Sequence, residues 1–298
     1  MQKGSLYKRP PRDAAGTEGA ISMRCINFDK EFERYLSAWM KEHAKEYKNY
    51  DEMEAAMPDV YADFLDTPVN WLGGAKPGEY FGQFDNPRQL VNWMEDYFKQ
   101  RIPCPDMLLN RIAELGLSAE ESLMNLLKKE KATREIRMAA ITLLREIESV
   151  APLEYYIGLQ AIRQEGEDEL ADNALDSLAS MGEQAVDAMR RALPLASPDG
   201  QEAMLTVLAH YPGDENVFQT ALRLFRERRE SVAVMADCLG KLGDERALPA
   251  LTALAASEET PYLDYIELRS AIEALGGDAP ERSFDAEDPA YEAMRSMQ

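Results

Sequence analysis

Hydrolytic, redox or metal-assisted chemistry needs imidazoles, thiolates or converging carboxylates, and this 298-residue chain offers two histidines and three cysteines to build them. His43 lies in an apolar helical stripe, and His210 precedes Tyr211-Pro212-Gly213 at a helix end. The first reads as a boundary imidazole and the second as a partner for the negative end of a helix dipole, and neither has metal-ligand spacing. Cys25, Cys104 and Cys238 are dispersed, with no CxxC pair, which argues against a disulfide framework. Cys238 sits among Ala and Leu, as a buried small hydrophobe would, and Cys104 stands between two prolines without the basic neighbours that activate a thiol. With 54 carboxylates in the chain, accidental acidic pairs are expected and point to no reaction by themselves. No catalytic, cofactor or metal site is expected.

What the acids do offer is recurrence. Asp176, Asp237 and Glu273 each stand two positions before a leucine that closes an Ala- and Leu-rich run, with Asp172 and Glu202 close by. The leucines are Leu143, Leu178, Leu208, Leu239 and Leu275, at intervals of 30 to 36 residues; the other two runs carry Ile141 and Thr206 at the acidic position. A helical pair repeating at that period cannot bury its apolar face alone and stacks on its neighbours, so the acids would line up on successive helices.

The elements that position them follow from periodicity and punctuation. Phe28, Phe32, Tyr35, Leu36, Trp39, Met40, His43 and Tyr47 have the spacing of one buried helix face. Asp51 with Glu54 has the form of a second helix start, restarted at Pro58. Residues 66 to 87 read as a loop in which Gly and Pro punctuate Trp71, Tyr80, Phe81 and Phe84; these rings either pack beneath the helices or anchor a partner. Pro87 starts a third helix, and a short fourth ends at Gly116. Ser118 with Glu121 resembles a capping box, while Ser197-Pro198 and Thr260-Pro261 mark two later helix starts. The organisation is therefore all-α: a polar tail (1–22), a helical N-terminal domain (23–117), about five helical pairs (118–278) and an acidic tail or C-terminal cap (279–298), with Tyr291, Met294 and Met297 as the capping side chains.

Ile136-Arg137-Met138-Ala139-Ala140, Leu268-Arg269-Ser270-Ala271-Ile272 and the junction Leu239-Gly240-Lys241-Leu242-Gly243-Asp244 resemble HEAT-like repeats, particularly the short type of the phycobilin lyases. The resemblance covers about residues 118–278 and implies an α-solenoid whose second helices line the concave side. It also implies that Arg137 and Arg269 are structural arginines paired near the inter-helix turn. Asp172, Glu202 and Ala233 replace that arginine in the intervening units.

Charge narrows the partners. Of the net charge of −21, residues 118–298 carry −17, with 35 acidic and 18 basic side chains. Such a field repels nucleic acid and anionic membranes and attracts basic partners, although it also serves solubility alone. No run is long and apolar enough for a membrane span, and the scattered cysteines suit the cytoplasm. The expected function is a non-catalytic protein-interaction scaffold without cofactor, holding a basic peptide or protein on Asp172, Asp176, Glu202, Asp237 and Glu273. Trp71, Tyr80 and Phe81 offer a second surface. The alternative is a phycobilin-lyase-like enzyme or accessory with a small-molecule pocket where the N-terminal domain meets the repeats.

Overall fold

A computed structural model describes residues 25–43, 45–164, 166 and 168–284. The expected polar tail and the capping side chains Tyr291, Met294 and Met297 lie outside the described residues. Those described are all-helical, without strands, and fall into two compact units. Among the described residues, one comprises 25–78 together with 92–105, and the other comprises 79–91 and 106–284.

The first unit holds α1 (Phe28–His43), α2 (Tyr50–Ala55), α3 (Met57–Asp66) and most of α4 (Pro87–Gln100). The stripe of α1 is less buried than its spacing predicts, for only Phe28 is fully covered. Phe32 and Tyr35 lean on Phe64 of α3, with ring centroids 5.3 and 5.5 Å apart, whereas Trp39 packs on His43 and Tyr47, which lie just beyond it in sequence. The helix stops at His43 and so never carries Tyr47. Asn49, rather than Asp51, caps α2 by accepting from the Glu52 amide, and Pro58 falls in the first turn of α3, where its missing N–H costs nothing. Trp71 packs edge-on against Phe28, and Gly73 and Gly74 take left-handed conformations beside it.

The second unit begins with a 3₁₀ turn, Phe81–Gln83, and α5 (Asp106–Glu114), joined by Arg111, which donates to the Phe84 carbonyl and pairs with Asp85. Helices then follow in order: α6 (Glu120–Leu127), α7 (Arg134–Glu146), α8 (Leu153–Ala161), α9 (Glu169–Ser180), α10 (Glu183–Ala192), α11 (Pro198–Leu208), α12 (Glu215–Glu227), α13 (Val232–Leu242), α14 (Leu248–Ala255) and α15 (Tyr262–Ala274). Side-chain oxygens of Thr133, Asp168, Ser197 and Asp214 cap α7, α9, α11 and α12. Two expected caps are corrected. The Ser118 hydroxyl donates backward to the Leu115 carbonyl, and that of Thr260 donates to the Leu254 carbonyl, so both close the preceding helix instead of opening the next.

Packing links α7 to α9, α9 to α11, α11 to α13 and α13 to α15, while α6, α8, α12 and α14 pack against α7, α9, α13 and α15 respectively. Of the anchors read from the sequence, Leu178, Leu208 and Leu239 have no exposed surface, and Leu143 and Leu275 are buried too, at 2% and 6%. Gly200 on α11 meets the main chain of α8, where a Cβ would come well under 3.0 Å from the Gln160 carbonyl oxygen.

The chain after α15 is not a loose tail up to residue 284. The Tyr265 hydroxyl donates to the Pro280 carbonyl, Arg282 stacks on Phe284 and Tyr265, and Phe284 lies against Tyr262 and Tyr265.

Candidate interaction surface

Left-handed residues at helix ends set a common register for α7, α9, α13 and α15. Gly182, Gly243 and Gly276 have positive φ of 58°, 70° and 76°, and Glu148 shares it at 55°, although ψ is 19° at Gly243 and −135° at Gly182. The Ser149 amide then closes on the Leu144 carbonyl, as Gly277 closes on Ile272, both at 2.9 Å. Counting back from these residues makes Leu144, Leu178, Leu239 and Ile272 equivalent. The leucine anchors read from sequence are therefore off by one at Leu143 and by three at Leu275. Asp176 and Asp237 keep equivalent places, matched by Thr142 and Ser270, and Glu273 falls outside their row.

Each of the five acids has a cation near it. Asp172 pairs with Arg163 at the end of α8, and Asp176 lies 3.8 Å from Arg145 of α7. Asp237 is bonded by Lys241 one turn on, and Glu273 by Arg269 one turn back, each at 2.7 Å. These four carboxylates are exposed, Asp176 most of all at 75%, and surface pairs of this kind contribute only about 0.2–1 kcal/mol each. Glu202 differs: its side chain is 24% exposed, takes a hydrogen bond from Ser231 and lies 3.7 Å from Arg228. Arg228 also donates to Asp199 at 2.8 Å, and these acids hold its guanidinium even more firmly protonated than usual, the Asp199 hydrogen bond most of all. Glu202 thus helps tie α11 to the end of α12.

Arg137 and Arg269 differ in what they reach. Arg137 donates to the Lys129 and Glu130 carbonyls, reading the main chain of the α6–α7 turn and not an acid. Arg269 donates to Glu273, on its own helix, and also feels the charge of Glu281 beyond α15.

The aromatic residues differ in burial. Phe81 is 1% exposed, so it packs beneath the loop and is corrected as a surface anchor. Tyr80 is half-buried against Phe81 and Phe84, and its burial raises the phenol pKa. Trp71 is half-buried in the other unit.

Among the described residues, no three His, Cys, Asp or Glu side chains are grouped to hold a metal ion. A hollow of about 470 Å³ lies along Glu33, Arg34, Ser37, Ala38, Lys41 and Glu42, which among the described residues all belong to α1. No helix among the described residues is long and apolar enough to cross a membrane. Searches against family models, curated proteins and solved structures return no match for this chain.

Proposed function

We propose that residues 118–278 form five HEAT-like helical pairs, α6/α7 to α14/α15, in the unit that also takes in residues 79–91 and 106–117, and that the protein is a cytoplasmic interaction scaffold for a basic protein or peptide. The observation that carries this reading is the unbroken succession α7, α9, α11, α13, α15, each packed on the next, with equivalent exposed acids at Asp176 and Asp237. A solenoid of this kind works through a long surface rather than an enclosed pocket. Salt bridges such as Asp237–Lys241 are weak enough for a partner's Lys or Arg to replace the local cation, and the −17 carried from Ser118 onward would steer that partner in. Glu202 is assigned to the scaffold's own packing, and Asp172 and Glu273 to its rim.

The test is affinity capture from the native host with the wild type, with Asp176→Asn/Asp237→Asn, and with Glu52→Gln/Glu54→Gln as a charge-matched control on α2. A basic partner held by the wild type and the control, lost with the first double variant and released by salt, supports the reading. Identical partners on all three proteins would sink it.

A further inference from the structure

The segment after α15 lies on that helix as a bound peptide would. Arg282 donates to the carbonyls of Thr260 (3.0 Å) and Glu258 (3.2 Å), in the turn that joins α14 to α15. Its guanidinium also stacks between rings, 4.6 Å from the Phe284 centroid and 5.7 Å from that of Tyr265. Phe284 fills the angle between Tyr262 and Tyr265, with centroids 4.9 and 5.0 Å away, and the Tyr265 hydroxyl holds the Pro280 carbonyl at 2.9 Å. The seat has three parts: carbonyls for a guanidinium, two tyrosine rings for an aromatic side chain, and a hydroxyl for a main-chain carbonyl. Nothing in them requires the occupant to be covalently joined to α15.

We propose that the α14–α15 turn and the first two turns of α15 form a peptide-binding site, occupied in cis by Asp278–Phe284. A partner presenting an extended segment with Arg two residues before an aromatic would enter it by displacing the strap. The guanidinium meets carbonyls in a turn that also carries Glu258 and Glu259, so a carboxylate at the Arg position is excluded and a cation favoured. The cis segment then sets a threshold that a partner must exceed, as a tethered competitor does. The site is separate from Asp176 and Asp237 and does not rest on the scaffold reading.

The experiment uses a fluorescent peptide with the sequence of residues 278–284, added to the full chain and to full-chain Arg282→Ala/Phe284→Ala, with anisotropy as the readout. Titration runs to about 1 mM, the scale of effective concentration for a short tether. The double variant should bind at least tenfold more tightly than the wild type, and a peptide carrying the same two alanines should not bind. Equal binding to both proteins, or none to a variant whose helical circular dichroism is intact, overturns the proposal. If the double variant does not fold, Phe284→Ala alone takes its place. Asp176→Asn/Asp237→Asn should leave the peptide affinity unchanged, which keeps this result independent of the scaffold test.

Discussion

Gly200 and Gln160 bring α11 and α8 together main chain to main chain, with the glycine facing the Gln160 carbonyl where no side chain fits. Around this contact the Gln160 amide donates to the Ala171 carbonyl at 2.6 Å, and the Ser197 amide donates to the Ala161 carbonyl at 3.0 Å. Helices α8, α9 and α11 are thus fixed at one point. Gly200→Ala would push main chain against main chain and should cost about 3 kcal/mol or more, at the upper end of overpacking. Chemical denaturation of the purified variant checks this.

Leu239 has no exposed surface and lies on α13, which packs on both α11 and α15. Leu239→Ala should cost roughly 2–5 kcal/mol, while Glu259→Ala, at an exposed turn position, should stay within about 0.5 kcal/mol. Urea midpoints at constant slope distinguish the two.

Glu148 occupies, with φ of 55°, the place after α7 that Gly182 and Gly276 fill after α9 and α15. Its Cβ crowds the backbone there, so Glu148→Gly should stabilise the chain by about 1 kcal/mol, in contrast with glycine placed within a helix. A rise in melting temperature is expected, and a fall would refute the shared register.

Asp244 and Glu215 both carry pKa values below the ordinary carboxylate range, chiefly through hydrogen bonds from Arg246, which also stacks 4.4 Å from the Phe218 ring centroid. Depressed carboxylates contribute stability above their unfolded pKa, and that contribution is lost as the pH falls through the folded value. Arg246→Gln should therefore lower the melting temperature at pH 7, and its difference from wild type should shrink below about pH 4. A difference that grows on acidification would contradict the assignment.

Burial pushes the Cys25 thiol up to about 11 and the Cys238 thiol up to about 12, whereas Cys104 is half-buried. At pH 8 a thiol reagent should label Cys104 first, with Cys25 and Cys238 reacting only on unfolding. Mass mapping of the labelled peptides gives the order.

The helical character of the chain was legible in its sequence because apolar spacing and proline positions are local signals. Pro87 and Pro198 do stand in first turns, and Leu178, Leu208 and Leu239 are buried as expected. Hydroxyl direction was harder to read. Ser118 and Thr260 precede helices just as Ser197 does, yet they bond backward, because the choice depends on which main-chain groups the preceding turn leaves open. Register also misled at Leu275, where leucine identity outweighed the left-handed Gly276 beside it. The state of the acids was least legible, since the partners of Asp172, Asp176 and Glu202 come from other helices or the segments beside them. The strap was missed because Pro280 and the surrounding acids mask two informative side chains, Arg282 and Phe284.

The succession from α7 to α15 has a consequence for how the chain is made. Each contact along it joins segments roughly thirty residues apart, so closing it costs little loop entropy and awaits no distant element. A nascent chain leaving the ribosome can complete α7 on α9 before α13 has been synthesised, and the strap at Phe284 closes only when the last pair is in place.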